Sequence, residues 1–263
     1  MVHFVGAGPG AEDLITVRGA KLLAEADVII YAGSLVNPKL LDYAKKTCEI
    51  HNSASMTLEE VLAVMEKAEE KGQTTVRLHT GDPSIYGAVR EQMDRLKERG
   101  IAFDSCPGVS ACFGAAAAMN LEYTLPGVAQ SLIITRMEGR TKVPKKEQIE
   151  EFAAHQTSMA IYLSAGMLPQ LAEGLMEGGY PAQTPAAIVY KATWPEEQIF
   201  RCTLEDLAAV GEKHGIRNTA LVLVGNVLSA DYERSRLYDP DFETGFRGKR
   251  KTKETDLQEK IDG

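Results

Sequence analysis

The sequence predicts an α/β protein of two domains with mainly parallel or mixed sheets. Two observations carry this. Short β-branched runs bounded by Gly, Pro or Asp alternate with segments of helical apolar period. The alternation occurs once before about residue 120 and again after it, and 263 residues at 44% hydrophobic composition are enough for two modest cores.

In chain order, strands are expected at residues 2–5, 28–31, 74–78 and 101–104, then at 131–135, 159–163, 186–190 and 220–224. Between them Leu58, Val61, Leu62, Met65 and Ala68 recur with helical spacing, and Thr57 followed by Glu60 forms a capping box at the start. Ile85, Val89, Met93 and Leu96 form a second stripe. Leu168, Leu171 and Leu175 form a third, with Pro169 in its first turn. These apolar residues read as core. Pro126-Gly127 continues neither helix nor strand, which places a boundary near 120: domains 1–120 and 121–238. The remaining 239–263 is rich in charge and poor in apolar residues, and a mobile tail is expected there. Its basic cluster Arg247, Lys249, Arg250, Lys251 and Lys253 reads as a solvated tail, with contact to an anion as the alternative.

Composition removes several functions. No run approaches the roughly 18–20 apolar residues of a membrane helix, and no leader pattern follows Met1, so the cytoplasm is the expected compartment. Cys48, Cys106, Cys112 and Cys202 are unevenly spaced without a CxxC pair and read as reduced thiols. The histidines form no HExxH, so no metal site is expected. With 29 basic against 37 acidic side chains and a net charge of −8, general nucleic-acid binding is disfavoured.

Three glycine-bearing turns follow predicted strands of the first half. Gly6-Ala7-Gly8-Pro9-Gly10 sits at the carboxyl end of the first, where open parallel sheets bind ligands. It departs from the dinucleotide pattern GxGxxG: the third glycine comes too early, and Pro9 lacks an amide donor. An NAD-dependent oxidoreductase is therefore a weak alternative. In Thr80-Gly81-Asp82-Pro83-Ser84-Ile85-Tyr86-Gly87, Ser84 is placed to cap a following helix. Asp82 can accept from a ligand hydroxyl or simply shape the turn. Cys106-Pro107-Gly108-Val109-Ser110-Ala111 is the third turn, and the three together suggest a shared binding edge. No catalytic triad is readable.

These residues resemble the tetrapyrrole methylase family, S-adenosylmethionine-dependent enzymes acting on uroporphyrinogen III and the precorrins. The resemblance is carried by Val5–Gly10, Asp13-Leu14-Ile15-Thr16-Val17-Arg18-Gly19, Ala26–Tyr31, Gly81-Asp82 with Tyr86-Gly87, Pro107–Ala111 and Asn218-Thr219-Ala220. These blocks run in order over about 1–230. Tyr31-Ala32-Gly33-Ser34-Leu35-Val36-Asn37-Pro38 and Thr135-Arg136-Met137-Glu138-Gly139-Arg140-Thr141 resemble the branch that methylates C11 of precorrin-4 or cobalt-precorrin-4. Uroporphyrinogen methylases typically show Tyr-Asp-Arg-Leu-Val at the first of these stretches. Methylation of another position, on precorrin-2, precorrin-3 or uroporphyrinogen III, stays as the alternative.

The resemblance implies a cofactor cleft between two α/β domains, and a homodimer. It implies that Pro9, Gly81, Asp82, Pro83, Ile85, Tyr86, Ser110, Ala111, Tyr162, Leu163, Ala192, Thr219 and Ala220 surround S-adenosylmethionine, while the Gly6–Gly10 turn faces the tetrapyrrole. Candidate substrate contacts are Gly8, Arg18, Tyr31, Ser34, Asp104 and Arg136, with Arg140 and Lys191 as further cations for a carboxylate-rich macrocycle. Methyl transfer is an in-line displacement, so positioning dominates and no metal or general base is assigned.

Overall fold

The computed structural model describes residues 1–248 except 34, 230, 231 and 240. Ser34 and much of the charged tail therefore lie outside the described residues. The strands form two five-stranded sheets. The first runs β3 (Glu49–Asn52), β2 (Val28–Tyr31), β4 (Thr75–His79), β1 (Val2–Gly6), β5 (Phe103–Cys106), and every neighbouring pair is parallel. The second runs β6 (Leu132–Arg136), β7 (Ser158–Tyr162), β10 (Ala220–Val224), β8 (Pro185–Tyr190), β9 (Gln198–Thr203), with β6–β7 parallel and the other pairs antiparallel.

The strands absent from the sequence reading are β3 and β9, each at a sheet edge. β3 (Glu-Ile-His-Asn) is largely solvent-facing and β9 (Gln-Ile-Phe-Arg-Cys-Thr) is at most half-buried, so neither carries the long apolar run that marks a buried strand.

The helices are α1 (Val17–Glu25), α2 (Leu58–Glu70), α3 (Arg90–Glu98), α4 (Ala111–Met119), α5 (Ile149–Ala153), α6 (Leu168–Glu177) and α7 (Leu207–Lys213). The capping box of α2 is present in full: Thr57 Oγ1 accepts from Glu60 N and Glu60 Oε2 from Thr57 N. Val61, Leu62 and Met65 of α2, with Leu96 of α3, bury against Phe4 and Ile30 on one face of the first sheet. Leu23 of α1 covers Val5, Ile29 and Leu78 on the other.

The second stripe needs correction. Helix α3 begins at Arg90, leaving Ile85 and Val89 outside it, and Ser84 caps nothing. Tyr86 and Ala88 take φ of 55° and 49°, which breaks the helical path between Ser84 and Arg90.

Helix α4 follows β5 of the first sheet but packs on the second. Its Cys112, Ala115 and Met119 lie against Ala160, Val189 and Leu223, while α5, α6 and α7 cover the opposite face. Small residues let α4 wedge between the layers: a Cβ on Gly114 would stand 2.6 Å from Pro9 Cβ. Cys48, Cys106, Cys112 and Cys202 are free thiols. No described helix is long and apolar enough to cross a membrane.

Candidate functional site

Strand β1 lies between β4 and β5, so the turns that follow these three strands are neighbours at one sheet edge. They meet backbone to backbone. A Cβ on Gly6 would stand 2.6 Å from Gly108 Cα and from Gly81 O. Gly8 and Gly81 form a two-way bridge, Gly8 N to Gly81 O at 3.2 Å and Gly81 N to Gly8 O at 2.8 Å. Ala7 N donates to His79 O at 2.7 Å and Ala11 N to Thr193 Oγ1 at 3.0 Å. With Pro9 lacking an N–H, little of the turn's amide capacity remains for a phosphate. The dinucleotide alternative loses its cradle.

Asp82 locks two of the turns together. Its Oδ2 accepts from Gly108 N and its Oδ1 from Ser84 N, both at 2.9 Å, and Oδ1 also accepts from Ser84 Oγ. Burial pushes its pKa up, but these hydrogen bonds outweigh burial and hold it below the ordinary carboxylate value. Asp82 thus shapes the loop as well as facing the cleft.

That edge faces the second sheet across a cavity of about 510 Å³. Pro9, Gly81, Asp82, Ile85, Tyr86, Ser110 and Ala111 line it from the first half of the chain, and Tyr162, Leu163, Ala192, Thr219 and Ala220 from the second. Pro83 alone of the expected cofactor residues does not line it. The sequence reading missed Arg217, Asn218, Val189, Leu221 and Trp194 in its walls. Asn218 was signalled by its place beside Thr219-Ala220, but nothing in the spacing pointed to Trp194.

Strained backbone gathers at this cavity. Tyr86, Leu163, Lys191 and Thr219, with φ of 55°, 54°, 46° and 54°, all line it. Each such left-handed non-glycine residue costs about 1–3 kcal/mol and persists where the surroundings enforce it, which is common at binding sites. Leu163 and Lys191 directly follow β7 and β8, and Thr219 directly precedes β10. Lys191 N donates to Thr219 O at 2.9 Å, joining two of these rims.

The phenol of Tyr162 anchors the start of α4. Its oxygen lies 2.8 Å from Ser110 Oγ and accepts from Cys112 N at 2.8 Å. Burial raises its pKa well above the ordinary phenol value, so it stays neutral and available for both bonds. Tyr86 tilts over it, with ring centroids 5.5 Å apart.

The candidate substrate residues do not gather in this way. Gly8 is buried in its bridge to Gly81. Arg18 is exposed on the first turn of α1. Asp104 sits opposite His3 in the β1–β5 ladder and accepts from its Nδ1 at 2.6 Å, away from the carboxyl edge. Tyr31 ends β2, half-buried, its carbonyl accepting from Ser53 Oγ at 3.1 Å. Arg136 clamps the loop after β6, donating to the carbonyls of Met137 at 3.0 Å, Thr141 at 3.1 Å and Lys142 at 3.0 Å. Arg140 is exposed; Lys191 is the exception, lining the cavity while forming an ion pair with Glu196 at 3.5 Å. No group of His, Cys, Asp and Glu among the described residues could hold a metal ion.

Residues 1–208 match the tetrapyrrole (corrin/porphyrin) methylases. A cobalt-precorrin-4 C(11)-methyltransferase of Methanocaldococcus jannaschii is 54% identical over 247 residues, 94% of this chain and 95% of that protein. A solved cobalt precorrin-4 methyltransferase superposes with a TM-score of 0.85 at 43% identity, over 87% of this chain and 96% of its own. A uroporphyrin-III C-methyl transferase from Thermus thermophilus, complexed with S-adenosylhomocysteine, aligns with a TM-score of 0.73 at 26% identity, over 89% of this chain and 95% of its own.

Proposed function

The chain belongs to the tetrapyrrole methylases, and on that premise we propose that it transfers the methyl group of S-adenosylmethionine to C11 of precorrin-4. The M. jannaschii relative and the solved protein with the TM-score of 0.85 both have cobalt in their names, which favours the cobalt-loaded macrocycle as acceptor. The observation that carries the reading is convergence. Residues far apart in sequence, from Pro9 to Ala220, line one cavity of about 510 Å³, within the range of roughly 300–1,000 Å³ usual for small-molecule sites.

The donor set suits this cofactor. Ile85, Val189, Ala192 and Leu221 offer apolar walls for an adenine ring and thioether, while Asp82, Ser110, Asn218 and Thr219 offer polar groups for a ribose and an amino-acid end. When bound, S-adenosylmethionine would supply an electrophilic methyl group, whose transfer discharges the sulfonium to a neutral thioether. What the protein contributes is position and dryness. The Asp82 clamp holds the turns after β4 and β5 in register, Tyr162 fixes Ser110 and the start of α4, and the glycines bring the three turns into backbone contact.

We assign the first domain, 1–120, to the tetrapyrrole side and the second, 121–238, to completing the cofactor site. The working form is a cytoplasmic homodimer, which light scattering and cell fractionation test.

Thermal denaturation is the first experiment. A ligand selective for the native state stabilises by about 2.7 kcal/mol at a hundredfold excess over its Kd. S-adenosylhomocysteine should raise the midpoint and NAD should not; a rise with NAD alone overturns the reading. Incubation with S-adenosylmethionine and cobalt-precorrin-4 should then yield S-adenosylhomocysteine and the C11-methylated product, and methylation of a different precorrin instead would correct the position assigned.

A further inference from the structure

Arg77 and His79 are buried side chains of β4 that lack the partners their burial calls for. Arg77 is 6% exposed. Its Nε donates to Gln92 Oε1 at 3.2 Å and one Nη1 proton goes to Ile30 O at 3.1 Å. Neither acceptor is charged, and no ion pair among the described residues includes Arg77. Burial lowers its pKa to about 10, so it remains a cation at neutral pH. Two positions on, and so on the same face of the strand, His79 is 5% exposed and its Nε2 is buried without a partner among the described residues. An unsatisfied buried polar atom costs about 1–3 kcal/mol, and an uncompensated buried charge more.

Both residues line the same space. Arg77, His79 and Gln92 line a second cavity of about 320 Å³, which shares Thr80 and Tyr86 with the main cleft. It lies at the carboxyl edge of β4 between the starts of α2 and α3. Glu91 also lines it, as an exposed carboxylate that makes no ion pair with Arg77. A buried guanidinium with no charged partner and an unpartnered ring nitrogen, on two residues lining one cavity beside the reaction cleft, describe a site completed by an anion.

We propose that this annex is an anion subsite that seats a peripheral carboxylate of the tetrapyrrole, with Arg77 as its counter-charge and His79 Nε2–H as a hydrogen-bond donor. The proposal rests on the methylase reading, because it takes its ligand from that substrate class. It assigns substrate recognition to residues other than the exposed arginines. The carboxylate would supply both missing partners at once, and the annex has room for the methylene chain that carries it. Its position fixes one edge of the macrocycle relative to the cofactor cleft on the far side of Tyr86.

The test uses the full chain and two stable probes, uroporphyrin, an octacarboxylic porphyrin, and its octamethyl ester. Fluorescence anisotropy should show the acid binding at least about tenfold more tightly than the ester, the loss expected when a charge-assisted hydrogen bond goes. His79→Phe should weaken the acid by about tenfold as well, while S-adenosylhomocysteine affinity stays unchanged. In protein labelled with ¹⁵N in its imidazoles, the His79 Nε2 resonance, assigned by its loss in His79→Phe, should move with the acid and not with the ester. That arm needs no Arg77 variant and is immune to a folding defect at that position. Equal binding of acid and ester, or a resonance that stays still while the acid binds, overturns the subsite and leaves an annex filled by water. If S-adenosylhomocysteine binds and methyl transfer proceeds in that case, the methylase reading survives; if neither it nor any tetrapyrrole binds, both fall.

Discussion

The indole of Trp194 rests against Gly10 so closely that a Cβ on the glycine would stand 2.2 Å from Trp194 Cδ1 and 2.9 Å from Ala192 O. The indole Nε1 donates to Pro9 O at 3.2 Å, and Ala11 N donates to the neighbouring Thr193 Oγ1. The loop after β8 is thereby fastened to the turn after β1, and the two sheets meet at a glycine. Ala192 and Trp194 both line the main cavity, so the fastening sets its width.

Gly10→Ala is expected to displace the indole, since the obstructing atoms include a backbone carbonyl that cannot rotate away. Trp194 is the single tryptophan of the chain, so its fluorescence reports this contact alone. A red-shifted emission and roughly tenfold weaker S-adenosylhomocysteine binding, about 1.4 kcal/mol, are the expected results. Unchanged emission would show that the contact has slack.

Gly108 poses a stricter demand. Its Cβ would fall 2.2 Å from Gly81 O and 2.7 Å from Gly6 Cα, both backbone. Gly108→Ala must separate two turns that Asp82 also ties together, and a loss of about 1–3 kcal/mol is expected, as for overpacked cores. Urea midpoints at constant m would measure it; a loss below a few tenths would mean the three turns are not rigidly joined.

Much of this was legible in the sequence, because a buried parallel strand, a glycine turn and an amphipathic helix each leave a local signature. The turns at Gly6, Gly81 and Gly108 could be placed at strand ends and expected to share an edge. The edge strands β3 and β9 were not legible, since neither is fully buried and neither carries a long apolar run. Nor were Arg77 and His79. In the sequence they are alternate residues of a strand, and only the fold shows that their face is enclosed without a counter-charge. The resemblance pointed to residues that, Pro83 excepted, line one cavity, but the fastening by Trp194 depends on φ values of 46° at Lys191 and 68° at Thr193 that no motif announces.

Tyr162→Phe removes one oxygen and two hydrogen bonds, leaving Cys112 N at the start of α4 without its acceptor. A net hydrogen bond contributes about 0.5–1.5 kcal/mol, and an orphaned buried donor costs about 1–3 kcal/mol. A fall in stability of about 2 kcal/mol is therefore expected. Because Ser110 and Ala111 line the cleft, cofactor affinity should fall too, while the tetrapyrrole KM holds. Loss of stability without loss of affinity would confine Tyr162 to anchoring the helix.

The last prediction concerns acid. In the folded protein burial first, and the charge of Arg77 second, hold His79 neutral with a pKa of about 3, against 6.5 in the unfolded chain. Between those values the unfolded chain binds a proton that the native protein refuses, so protons favour unfolding. The stability is present in full above about pH 6.5 and is lost as pH falls toward about 3, at up to about 1.4 kcal/mol per unit. His79→Phe lacks this dependence while keeping the other histidines, so the difference between wild type and variant should move steadily against wild type from pH 7 to pH 5. Urea midpoints at pH 7, 6 and 5 measure it. A difference that stays flat would mean that His79 is not held neutral by burial and Arg77 in the folded protein.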